Sequence, residues 1–71
     1  MIPPIQQDIL ARLACLCELS PGARFGQLVA HLGFLAEDKG EGGLWEIEDE
    51  ALLRVLERHR AELSQRQSNV V

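Results

Sequence analysis

The feature that most constrains this chain is a stretch with too little polar surface. Between Ala23 and Ala36 the only polar side chains are Arg24, Gln27 and His31. At helical spacing they share a strip roughly 60° wide. Phe25, Leu28, Val29, Leu32 and Ala36 form a stripe at i, i+3, i+4, i+7 and i+11, which predicts a helix over about Ala23 to Glu37. Phe34 projects almost opposite that stripe, Ala23 and Ala30 lie beside it, and Gly26 and Gly33 fill one flank. A helix that is apolar nearly all round is a buried helix. In a chain of 71 residues, two partner helices cover only about half of such a circumference.

Two partners are what the rest of the sequence offers. Over Pro4 to Leu19, the residues Ile5, Ile9, Leu10, Leu13, Leu16 and Cys17 share one face, with Gln7, Asp8, Arg12 and Glu18 on the other. Pro3 and Pro4 suit a helix start, where a missing N–H costs nothing. Ser20-Pro21-Gly22 ends the helix. A third helix is expected over about Glu50 to Ser64, with Asp49 as its N-cap and Leu52, Leu53, Val55, Leu56 and Leu63 inward. Glu50–Arg54, Arg58–Glu62 and Glu62–Arg66 are oppositely charged i,i+4 pairs, each worth roughly 0.2–0.5 kcal/mol. Between the second and third helices, Asp38 to Gly43 reads as a loop with Gly40 in the left-handed position after a helix. Leu44-Trp45-Glu46-Ile47 then alternates as a short extended segment would.

The expected fold is therefore all-α: one three-helix domain over residues 1–64, a short extended segment at 44–47, and a flexible tail at 65–71. Apolar residues are 46% of the chain, too many for a disordered sequence. No apolar run approaches the length that spans a bilayer. The Met1-Ile2-Pro3-Pro4 start lacks the basic region of a secretory signal. These features point to a cytoplasmic protein without a membrane segment.

Charge separates along the chain. Residues 37–50 carry seven acids against Lys39, a net of −6, whereas Arg54 to Arg66 carries +2. With −4 overall, the chain lacks the concentrated positive face on which nucleic-acid binding depends.

Candidates for chemistry are few. Cys15 and Cys17 point about 160° apart on a helix and cannot bridge each other. The spacing places Cys17 on the apolar face and Cys15 outside. His59 falls on the inward face of the third helix as a structural imidazole, and His31 lies on the polar strip of the second. The twelve residues Asp38 to Asp49 invite comparison with a calcium loop. Gly40 and Gly42 stand where side-chain oxygens are needed, and Asp49 where a bidentate Glu belongs. Gly40-Glu41-Gly42-Gly43 follows no strand and precedes no Lys-Ser/Thr, so it is a turn and not a phosphate loop. Read as a DNA-recognition helix, the second helix would offer only Arg24, Gln27 and His31 outward. No nucleophile, base and orienting group come together, and so short a chain does not readily form a deep pocket. No catalytic residue, metal, cofactor or small-molecule substrate is expected.

Arg24-Phe25-Gly26-Gln27-Leu28, followed by Leu44-Trp45-Glu46-Ile47-Glu48-Asp49-Glu50-Ala51-Leu52-Leu53, resembles a family of short bacterial proteins of uncharacterised function. Their pattern is approximately R-L-G-Q-L, a loop, an aromatic-containing segment and an acidic helix start with D-E-x-L. The likeness runs from Arg24 to Leu53. This chain departs from the pattern in Phe25 and in its longer, Gly-rich loop. The resemblance implies no activity and transfers no functional residue.

The sequence thus points to a non-enzymatic interaction module that forms a homodimer, or binds another protein, through the second face of the second helix. Phe34 is the expected anchor, Gly26, Ala30 and Gly33 allow close approach, and Trp45 adds aromatic area. The alternative is a nucleic-acid-associated regulator that contacts phosphates through Arg54, Arg58, Arg60 and Arg66 of the third helix.

Overall fold

A computed structural model describes residues 1–69 of the chain, with side chains through Arg66. It is all-α, with three helices: α1 (Pro4–Leu19), α2 (Phe25–Asp38) and α3 (Asp49–Asn69). Pro4 opens α1 directly after Pro3, whose carbonyl accepts from the N–H groups of Gln6 and Gln7. Pro21 stops α1 because its ring disfavours helical geometry at Ser20. A tight turn then returns the Ala23 N–H to the Ser20 carbonyl at 3.1 Å.

α2 starts without an acceptor side chain at its N-cap. The Gln27 Oε1 accepts from the Arg24 N–H at 2.9 Å, which is half of a capping box. A guanidinium only donates, so Arg24 cannot supply the reciprocal half. The other end of α2 closes in a Schellman motif: Glu41 N–H donates to the Ala36 carbonyl and Gly40 N–H to that of Glu37. Gly40, at φ +75°, is the residue that makes this reversal.

Direction follows from the pairs the helices make. Gln6 meets Asp49 and Arg12 meets Glu57, so α1 and α3 run in the same sense. His31 meets His59, and Lys39 shares a cleft with Ala51 and Arg54, so α2 runs opposite to α3. The packing is unequal. α1 lies against α3 far more extensively than α2 does, and α1 and α2 barely meet. The core is Leu16, Leu28, Leu32, Val55 and Leu56, flanked by Ile9, Leu13, Leu35, Ile47, Leu52 and Leu63. The smallest dimension of the molecule, 19 Å, is about two helix diameters.

Several expectations need correction. Residues 44–47 are not extended. Leu44, Trp45 and Glu46 form a turn, in which the Gly43 carbonyl accepts from the N–H groups of Glu46 and Ile47, each at 3.1 Å. The Glu46 carboxylate reaches back to the Gly43 N–H at 3.1 Å, and no neighbouring strand offers a competing ladder among the described residues. The third helix does not end at Ser64 but runs to Asn69. No Gly or Pro follows Gly43 to interrupt it. Of the expected tail, 65–69 continue this helix and 70–71 lie outside the described residues. Asp49 is the first residue of α3 and not its cap: the Glu48 carbonyl accepts from Leu52 at 2.9 Å, while Asp49 Oδ2 accepts from Gln6 Nε2.

α1 is also rotated from its expected setting. Cys17 is exposed and Cys15 half-buried, the reverse of the expected order, and Leu10 is 52% exposed. The helix turns Arg12, not Leu10, towards α3, where Arg12 Nε lies 3.8 Å from Glu57 Oε2.

Candidate interaction surface

The second face of α2 begins where its core stripe ends. Leu28, Leu32 and Ala36 are buried, and Phe34, set opposite to them, is 65% exposed. Gly26, Ala30 and Phe34 succeed one another at i, i+4 and i+8 and therefore form one strip along the helix. Gly26 and Ala30 are exposed, and a Cβ at Gly26 would meet nothing within 4 Å. Gly33 lies beside the strip and is half-buried under Leu44, whose Cγ would stand 3.6 Å from a Cβ there. Through this contact the loop returns onto α2, and Trp45, 94% exposed, follows directly in the chain.

The structure thus brings Gly26, Ala30, Gly33 and Phe34 onto one side of α2 and attaches the Trp45 loop to its flank. It does not bring the two aromatic rings together. Among the described residues the only aromatic contact is between His31 and His59. Sequence reasoning missed Leu44, the residue that joins the loop to the strip. It also placed Phe25 in the inward stripe, yet Phe25 is 57% exposed. Its angle is right, but it is the first residue of α2, where neither α1 nor the loop supplies a covering surface. The one visible signal was the nearby Ser20-Pro21-Gly22 turn.

Of the four arginines expected to contact phosphates, two share a cleft with acidic neighbours. Arg54 and Arg58 border clefts between α2 and α3, with Asp38, Glu41 and Glu62 interspersed among the lining residues. Arg58 Nε also lies 3.8 Å from Glu62 Oε1.

His59 is 7% exposed, and His31 is on the surface. Burial, the charge of His31 and that of Arg66 lower the His59 pKa below the ordinary imidazole range, and Glu62 opposes them in part. Among the described residues no three His, Cys, Asp or Glu side chains are placed to hold a metal ion. No described helix is long and apolar enough to cross a membrane. Comparison of the chain with protein-family models, with curated proteins and with solved structures finds no match.

Proposed function

We propose that this protein is a non-enzymatic interaction module that pairs with a second copy of itself through the outer face of α2. The observation that carries this reading is the exposed Phe34 ring, opposite the core and in line with Ala30 and Gly26. Exposed aromatics on an apolar strip favour burial against a partner.

The strip is suited to antiparallel pairing about a two-fold axis near Ala30. Phe34 and Gly26 lie one turn on either side of Ala30, so each Phe34 would rest over the open Gly26 of the other copy. Leu44 and Trp45 would flank the seam. Sedimentation equilibrium at on the order of 10–100 μM is the direct test. The expected result is a dimer mass for the native chain and 7.9 kDa for Phe34→Glu, with helical circular dichroism unchanged. A native chain that sediments as a monomer throughout that range overturns the reading. In a Cys15→Ser, Cys17→Ser background, antiparallel pairing predicts that Ala30→Cys cross-links to itself and Glu37→Cys does not.

A further inference from the structure

The inner side of α2 carries a separate device. His31 of α2 and His59 of α3 bring their rings to 4.8 Å, tilted by 58°, across the smaller of the two seams on α3. The His59 Nδ1 is buried and has no hydrogen-bond partner. Glu62 Oε2 stands 4.0 Å from it, beyond hydrogen-bonding distance. Beside the ring a cleft of about 190 Å³ separates α2 from α3, lined by Leu35, Asp38 and Lys39 on one side and Val55, Arg58 and Glu62 on the other.

We propose that the His31–His59 contact is an acid-sensitive latch, which holds α2 on α3 while His59 is uncharged and releases it when His59 takes up a proton. An uncharged imidazole fits this position. A cation there would be desolvated, would lie against a second imidazole and would lack a hydrogen-bonded anion. Groups from both helices bear on the outcome. From α2 come His31, Asp38 and Lys39; from α3 come Arg58, Glu62 and Arg66. Glu62 opposes the trend by its sign, and at 4.0 Å it makes no hydrogen bond to the ring. α2 is the element that yields, because it runs along α3 over a shorter seam than α1 does.

The direction of the pH dependence follows from linkage. In an opened or unfolded chain the imidazole titrates near its ordinary value of about 6.5. In the closed structure it binds its proton less readily, chiefly because it is buried. The latch is therefore fully closed above that value and weakens as pH falls below it, towards the lower value of the closed state.

The test combines two measurements on the intact chain. Amide exchange, corrected for its intrinsic pH dependence, should show α2 losing about tenfold more protection than α1 between pH 7 and pH 5. His59→Leu should abolish that difference. Should His59→Leu fail to fold, the native chain still decides the matter: the His59 Hε1 midpoint should lie below the ordinary value, and α2 should lose protection over the same pH range. Equal loss from α1 and α2, an unchanged difference in His59→Leu, or a His59 midpoint at or above the ordinary value would each overturn the latch. The His59 midpoint does not involve the outer face of α2, and repeating the exchange comparison on Phe34→Glu removes any protection due to pairing, so the latch and the pairing stand or fall separately.

Discussion

α1 and α2 are both laid against α3, yet they meet different fates. α1 lays Ile9, Leu13 and Leu16 on an extensive parallel seam and presents polar or small residues to solvent, with Leu10 the one large aliphatic side chain left out. α2 is the more apolar helix but has the smaller seam, and it leaves Phe25 and Phe34 uncovered. The more apolar helix thus keeps both phenylalanines of the chain exposed, although Leu28, Leu32 and Ala36 on its inner side are buried. Hydrophobicity along a sequence sets how much surface needs shelter, and topology decides how much of it receives shelter.

The sharpest way to probe this contrast is to empty the core from each side. Leu16→Ala should cost about 3–5 kcal/mol and Leu32→Ala about 2–3 kcal/mol, because the looser α2 seam can settle into the space. Urea unfolding at low concentration reads both, and a larger loss at Leu32 would reverse the ranking of the two seams. Next in size is the loop that ties Trp45 to α2. Gly42 has φ +77°, and a Cβ there would collide with the Glu46 carboxylate. Gly42→Ala should therefore cost about 1–2 kcal/mol by the same measurement.

A smaller effect, of opposite sign, separates the two faces of α2. Gly26 has open space around it, so Gly26→Ala should stabilise the monomer by about 0.5–1 kcal/mol through helix propensity. If Phe34 of a second copy rests there, the same change should weaken self-association, and melting curves at two concentrations would move in opposite directions. The smallest change is expected at the surface of the α1–α3 seam. Arg12 and Glu57 are 3.8 Å apart and solvent-accessible, so Arg12→Gln should shift stability by less than about 0.5 kcal/mol.

Where periodicity was unambiguous, the structure was legible in advance. Pro4 and Leu19 bound α1, and Leu28, Leu32, Val55 and Leu56 are core residues as their spacing predicts. Three misreadings share a cause in what the rest of the chain does. Cys15 and Cys17 exchanged places because α1 packs through the side that carries Ile9, Leu13 and Leu16, which leaves Leu10 and Cys17 beyond its edge; hydrophobic spacing alone drew that face too wide. Leu44 to Glu46 alternate like a strand, but a strand needs a neighbour and the Glu46 carboxylate had a local one in the Gly43 N–H. α3 outran Ser64 because polar residues continue a helix until something stops it, and nothing did. On the candidate surface, Phe34 was found by its angle alone. The contact of Leu44 with Gly33 and that of His31 with His59 required the antiparallel register of α2 and α3, which the spacing within one helix does not contain.

The parallel seam between the first and last helices bears on how the chain comes into being. α1 touches α2 hardly at all, so its greasy side has no proper partner until α3 has been synthesised. On a ribosome, α3 must emerge before the native arrangement of α1 can close. Any truncation that removes α3 should leave two sticky helices with nowhere to settle.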